Sequence, residues 1–261
     1  MPRLAASLTS MFREAPLPDR FALAAAAGFG AVELQTPYGE PASLLAARAR
    51  EAGVQPVLIN MPVALAAVPG EEDAFRAGMA TALDYADALG CHQVHCLAGL
   101  TDHADAEATF VANLRWAADE AAARGVRLLL EPLNTIDTPG YFLTGSAQAR
   151  RIIDQVAREN VRMQYDVYHM QIMEGRLAET IRAHFDVIGH FQISGVPGRH
   201  EPDAQQEINY PYLLSLIDEL GFDGWVGCEY RPRAGTLAGL DWARPYGIAC
   251  GAAQQRKGTP A

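Results

Sequence analysis

Four oxygen-bearing side chains stand at the ends of apolar runs in the second half of the chain: Glu131 after "VRLLL", Asp166 closing "VRMQYD", Gln192 in "GHFQI" and Glu229 in "WVGCEY". A carboxylate at the tip of a buried segment costs roughly several kcal/mol unless it is paired or coordinates a metal. Three carboxylates brought to one pocket would force protonation on each other unless a cation joined them. Glu, Asp and Glu, with Gln192 turning its carbonyl inward, make an all-oxygen donor set, which favours Mg²⁺ or Mn²⁺ over zinc. Singly, each acid also has an ordinary reading as a helix N-cap or an ion-pair partner.

The elements that must position these residues are marked by a recurring junction, in which an Ala-rich helical segment stops at a glycine and an apolar strand follows. It reads "AAGFGAVEL", "EAGVQPVLIN", "ALGCHQVHCL", "ARGVRLLLEP" and "ELGFDGWVGCEY". Glycine suits the left-handed residue that ends a helix. Helical period runs over Glu71–Leu89 and Asp102–Arg124, and further helices are expected near Ala147–Ala157 and Leu177–His184. The strands are continuous apolar runs, as in a parallel sheet covered on both faces. With "RLAASL" at the start, the units number about eight, which predicts an α/β fold of the single-domain (β/α)8 TIM barrel type. The barrel domain is expected over residues 1–250, and residues 251–261 form a polar tail expected to fray. In such a barrel the four strand tips meet at one mouth. A doubly wound open sheet is the alternative, although no G-x-G-x-x-G follows the first strand.

Composition narrows the function. Apolar residues make up 49% and charged residues 20%, with a net charge of −10 and Lys257 the sole lysine. Such a surface repels nucleic acid and anionic membranes, so neither is an expected partner. Four cysteines and no secretory leader indicate a reduced, cytoplasmic chain without a membrane span. "CHQVHC" resembles a zinc motif only superficially, because Cys91 and Cys96 would face opposite sides of a strand.

Around the four tips lie further candidates. Arg199 in "PGRHEP" is suited to clamp a substrate carboxylate, or equally to pair with Glu201. Asn60, at the third strand tip, either hydrogen-bonds a substrate hydroxyl or serves as a turn residue before Pro62. Trp116 and Trp225 are expected to pack helix against sheet.

The segments "LLEPLN", "QYDVYHMQIMEG", "HFQISGVPGRHEP", "EINYPYL" and "GWVGCEYRPR" resemble the hydroxypyruvate isomerase family, with its related 2-oxo-tetronate isomerases, among the xylose-isomerase-like barrels. The likeness runs from "MPRLAASLTSMF" to "GLDWARPY". It implies that Glu131, Asp166, Gln192 and Glu229 ligate a divalent cation, that Glu131 and Glu229 are also the acid/base pair, and that His169 touches substrate. The implied reaction is a keto-aldo isomerisation of a small hydroxy-oxo acid, such as hydroxypyruvate to tartronate semialdehyde, through an enediolate. The loop "NMPVALAAVPGEE" is about ten residues shorter than expected for the family, which bears on the lid and the substrate range. A ketose 3-epimerase on the same barrel is the alternative, although those enzymes generally carry His where this chain has Gln192. Less favoured are a nuclease of the endonuclease IV type, whose multi-zinc site needs more histidines at strand tips than can be placed among the seven present, and a non-catalytic metal or sugar binding protein. The exposed helices of such a barrel leave room for a homo-oligomer.

Overall fold

The structure, a computed structural model, describes residues 1–248. Eight parallel strands close into a barrel in sequence order: β1 (Arg3–Ser7), β2 (Ala31–Leu34), β3 (Gln55–Asn60), β4 (Gln93–His95), β5 (Arg127–Leu130), β6 (Val161–Asp166), β7 (Ile188–Ile193) and β8 (Trp225–Cys228). Closure is made by β1 pairing with β8, Ala5 beside Gly227 and Ala6 beside Cys228. The helices are α1 (Leu17–Ala26), α2 (Ala42–Ala52), α3 (Glu72–Leu89), α4 (Ala106–Ala122), α5 (Ser146–Val156), α6 (Val167–Met173), α7 (Leu177–His184) and α8 (Tyr210–Glu219). The predicted barrel is therefore the observed one. The expected tail, residues 251–261, lies outside the described residues.

The glycine junctions work as the sequence suggests. Gly53 and Gly90 end α2 and α3 with φ of 68° and 63°, a left-handed conformation that costs a side-chain-bearing residue about 1–2 kcal/mol. Each reversal delivers the chain directly into the next strand. Helix α4 begins at Ala106 rather than Asp102, because Asp105 takes the N-cap position. Strands β5 and β8 stop one residue before Glu131 and Glu229, so those carboxylates head the loops at the mouth.

Packing divides by face. Outward strand residues such as Leu128, Leu130, Phe191 and Val226 join the core under the helices. Inside, the lower end of the barrel is closed by Ala5, Ala31 and Val57 against Trp225, whose ring Arg3 covers at 4.8 Å. Trp116 meets Phe75 edge-on with ring centres 6.1 Å apart. Both tryptophans pack structurally, but not helix against sheet as expected: Trp116 joins two neighbouring helices and Trp225 plugs the barrel interior, because its position on β8 faces inward two residues below Gly227. Cys91 and Cys96 are free, buried thiols in the apolar core, and burial pushes the Cys91 thiol up to about 12. No helix among the described residues is long and apolar enough to cross a membrane.

Candidate active site

The mouth of the barrel gathers the strand-tip residues. Parallel register sets Asp166 beside Gln192 on β6 and β7, and Asn60 beside His95 on β3 and β4. Side chains two residues apart on a strand share a face. Gln164 therefore points inward below Asp166, and His190 below Gln192.

Asp166 divides its two oxygens between structure and site. Oδ1 accepts the backbone N–H of Tyr168 at 2.8 Å, capping α6, whereas Oδ2 faces the mouth. There the Arg199 guanidinium bridges two carboxylates, its Nη2 lying 3.3 Å from Asp166 Oδ2 and 3.1 Å from Glu229 Oε2. Arg199 also lies 5.0 Å from the centre of the Tyr168 ring. The pairing of Arg199 with Glu201 is not made. Glu201 instead engages Arg233, at 3.2 Å to its guanidinium and 3.0 Å to its backbone N–H.

Glu131 is 5% exposed, with Oε2 accepting Gln164 Nε2 at 2.8 Å and lying 3.3 Å from His95 Nδ1. Its Oε1 has no hydrogen-bond partner among the described residues. Burial, then the neighbouring Glu229 and Asp166 charges, push the Glu131 carboxyl well above the ordinary 4.5. Burial likewise raises Glu229 to about 7, although Arg199 opposes the shift. Burial alone would lower Arg199, but Glu229 and Asp166 outweigh it and hold the guanidinium charged.

Glu131, Asp166 and His169 bring ligand atoms within 4.8 Å of one another, close enough to hold a metal ion. The imidazole has a defined tautomer. His169 Nδ1 accepts the backbone N–H of Asn134 at 3.0 Å, which places the proton of the neutral ring on Nε2. Burial lowers His169 to about 4, so the ring is neutral at pH 7. Nε2–H then lies 3.6 Å from Asp166 Oδ2 and 3.8 Å from Glu131 Oε1, a donor aimed at an oxygen between them. A donor in that place suits a substrate oxygen better than a metal, which needs the lone pair.

Gln192 is fully buried, its Oε1 accepting Gln164 Nε2 at 2.6 Å and its Nε2 donating to Glu33 Oε2 at 3.0 Å. Asn60 gives its backbone carbonyl to Tyr38 Oη and leaves Oδ1 buried without a partner. All seven candidate residues thus belong to the mouth or its walls. The sequence reading passed over Glu33, His95, Gln164 and His190. Counting two residues back from Asp166 and Gln192 would have found the last two. His95 is 1% exposed with neither ring nitrogen hydrogen-bonded among the described residues, although Nδ1 lies near Glu131, and burial, with His169 and His190 nearby, lowers it to about 3.

With this geometry in place, likeness to known proteins can be weighed. The xylose isomerase-like TIM barrel model matches residues 21–246. The 2-oxo-tetronate isomerase of Cupriavidus necator is 48% identical over 258 residues, covering 94% of this chain and 99% of that protein. The chain belongs to the hydroxypyruvate isomerase and 2-oxo-tetronate isomerase family. The hydroxypyruvate isomerase of Escherichia coli K12, another member of this family, is 42% identical, covering 94% of this chain and all of that protein. A crystal structure described as an AP endonuclease, family 2, from Brucella melitensis superposes with a TM-score of 0.92 at 45% identity, covering 94% of this chain and 99% of that one. As a member of the family the chain is an enzyme, an isomerase built on the barrel described above.

Proposed function

We infer that this family member is a divalent-cation-dependent keto-aldo isomerase of a small hydroxy-oxo acid, hydroxypyruvate or a 2-oxo-tetronate. Isomerases of such acids are what its relatives are named for. One observation carries the reading: three carboxylates, Glu131, Asp166 and Glu229, converge with Arg199 as the only cation among the described residues, and one buried Glu131 oxygen has no hydrogen-bond partner there. An orphaned carboxylate oxygen among oxygen donors fits a hard cation such as Mg²⁺ or Mn²⁺. Glu131, Asp166, Gln192 and Glu229 would hold it. The ion would supply charge stabilisation for the enediolate, with its two adjacent oxygens.

The side chains account for the remaining work. One of the raised glutamates, Glu131 or Glu229, starts as the carboxylate and takes the C–H proton, while the other starts as the carboxylic acid and delivers its own proton to the neighbouring carbon, the hydroxyl proton passing to the former carbonyl oxygen. A carboxyl poised near neutrality suits this, because it can both accept and give a proton at pH 7. Arg199 orients the substrate carboxylate from the Glu229 side. His169 donates Nε2–H to a substrate oxygen, and Asn60 offers its carbonyl to a hydroxyl. Positioned proton transfer of this kind contributes about 10²- to 10⁴-fold.

The test is proton exchange followed by NMR in D₂O, with hydroxypyruvate, 2-oxo-tetronates and free ketoses, in chelator and with Mg²⁺ or Mn²⁺ restored. Metal-dependent exchange at C–H on the hydroxy-oxo acids supports the reading. Exchange confined to ketoses would replace it with an epimerase, and no exchange on any of them removes it. The activity named for the Brucella protein is checked directly by offering abasic DNA to the same preparation.

A further inference from the structure

Below the mouth, four side chains from β2, β6 and β7 and the tip of β5 are joined in single file. Glu33 Oε2 accepts from Gln192 Nε2 at 3.0 Å, Gln192 Oε1 accepts from Gln164 Nε2 at 2.6 Å, and the same Gln164 nitrogen donates to Glu131 Oε2 at 2.8 Å. All four are buried, none more than 5% exposed. Two carboxamides thus stand between two carboxylates. A carboxamide has a donor end and an acceptor end, whereas a carboxylate oxygen only accepts.

That difference fixes both amides. Turning Gln192 over would set its oxygen against Glu33 Oε2, two acceptors at hydrogen-bond distance with no proton between them. Turning Gln164 over would set its oxygen against Gln192 and Glu131 together. Leaving buried polar groups in such opposition forfeits the hydrogen bonds and adds repulsion, so one orientation dominates. Glu33 is itself anchored: His190 Nε2 is hydrogen-bonded to its Oε1, and Gln35 Nε2 donates to Oε2 at 3.2 Å, with Ser7 Oγ donating to Gln35 Oε1 at 2.9 Å. Gly227 on β8 makes room, since a Cβ there would overlap the Glu33 carboxylate.

We propose that Glu33 is a positioning residue that fixes which end of the Gln192 carboxamide faces the site, so that β7 presents a carbonyl oxygen there. Through Gln164 the same chain holds Oε2 of Glu131 and leaves Oε1 as its working oxygen. The carbonyl of Gln192 keeps a second lone pair for a cation or a substrate hydroxyl. Glu33 touches neither substrate nor metal in this role, which rests on the metal reading above only for its consequence in binding.

Two measurements test it. In metal-free protein labelled with ¹⁵N at glutamine, the side-chain NH₂ signals of Gln192 and Gln164 are assigned by their loss in Gln192→Leu and Gln164→Leu. In the wild type these protons exchange at least about tenfold more slowly than those of the exposed Gln205, and Glu33→Gln shifts both pairs of signals. Gln192 protons that exchange like those of Gln205, or signals that Glu33→Gln does not move, overturn the proposal. Second, Mn²⁺ affinity is measured by calorimetry around a cycle of Glu33→Gln and Gln192→Leu. Glu33→Gln weakens binding about tenfold or more in the presence of Gln192, and less than about threefold once position 192 has no amide to orient. An equal loss in both backgrounds would mean that Glu33 acts by its field alone, and would overturn the role. If Glu33→Gln does not fold, the exchanged pair Glu33→Gln with Gln192→Glu decides, because amide and carboxylate meet there in the opposite sense. That pair folds and the amide protons at position 33 are protected; failure of either sinks the proposal. A wild type that binds no Mn²⁺ removes the metal reading and leaves the amide signals to decide this one.

Discussion

Glu131→Gln separates the chemical use of a buried carboxylate from its structural cost. The substitution keeps shape: the oxygen of the new carboxamide can still accept from Gln164 Nε2, and its NH₂ would occupy the position of Oε1, which has no partner to lose. Turnover, however, loses a proton carrier, a deficit of about 10²- to 10⁴-fold, or roughly 3–5 kcal/mol of barrier. Stability of the metal-free protein moves the other way. The native carboxyl lies well above its unfolded value near 4.5, so its contribution is fully present below pH 4.5 and lost as pH rises toward the native value. Each pH unit of that interval costs about 1.4 kcal/mol. Removing the ionisable group therefore raises the melting temperature at pH 8 in chelator, by about 2–4 °C per kcal/mol for a chain of this size. The assay pairs steady-state isomerisation under saturating Mg²⁺ with thermal melts in chelator. Near-normal turnover would remove Glu131 from the mechanism, and a lower melting temperature would refute its account as a carboxyl whose ionisation is disfavoured by burial and by the neighbouring carboxylates.

Other outcomes follow from the same geometry. For the metal-free protein, Glu131 and Glu229 take stability away as pH rises from 4.5, through about 7 for Glu229, while His95 and His169 take it away as pH falls from 6.5 toward about 3 and about 4. Melts across pH 3–9 should show a broad optimum between these limbs, with Glu131→Gln flattening the alkaline limb; an unchanged alkaline limb in that variant contradicts the assignment. Added Mn²⁺ raises the melting temperature more at pH 8 than at pH 5, since protons compete for the ligands, and equal shifts would argue against carboxylate ligation. Arg199→Ala raises KM for the hydroxy-oxo acid at least about tenfold, the loss of a charge-assisted contact of about 1.5–3 kcal/mol; an unchanged KM discards the clamp. Gly227→Ala destabilises the fold by about 1–3 kcal/mol by crowding Glu33, visible as a lower melting temperature, and a neutral effect would show that the interior can yield.

The sequence made the barrel legible because its punctuation is local. A glycine after a helix and an apolar run after the glycine can be recognised without knowing what lies across the molecule. The acids at the strand tips were legible for the same reason, being polar residues that interrupt runs otherwise apolar. Arg199 was ambiguous because its nearest acid in sequence, Glu201, is not its nearest in space. That choice depends on the loop after β7, where Arg199 itself takes a left-handed φ of 54°. Of the inner column, Gln192 was read at its strand tip, whereas Glu33, Gln164 and His190 were hidden. Each member sits in a strand whose neighbours are apolar, and only closure of the sheet reveals which alternate residues look inward and meet. His95 escaped notice through the same dependence, since setting aside "CHQVHC" as a zinc motif left open which of its residues face the barrel interior.

The join between Glu33 and Gln192 spans 159 residues of chain, yet it makes the two positions a single heritable unit. A lineage, or an engineer, exchanging Gln192 for a histidine would strand Glu33 opposite a ring of different reach, and the gain at the mouth would be spent on disorder beneath it. Libraries that randomise β2 and β7 together should therefore recover altered specificity far more often than libraries that vary either strand alone.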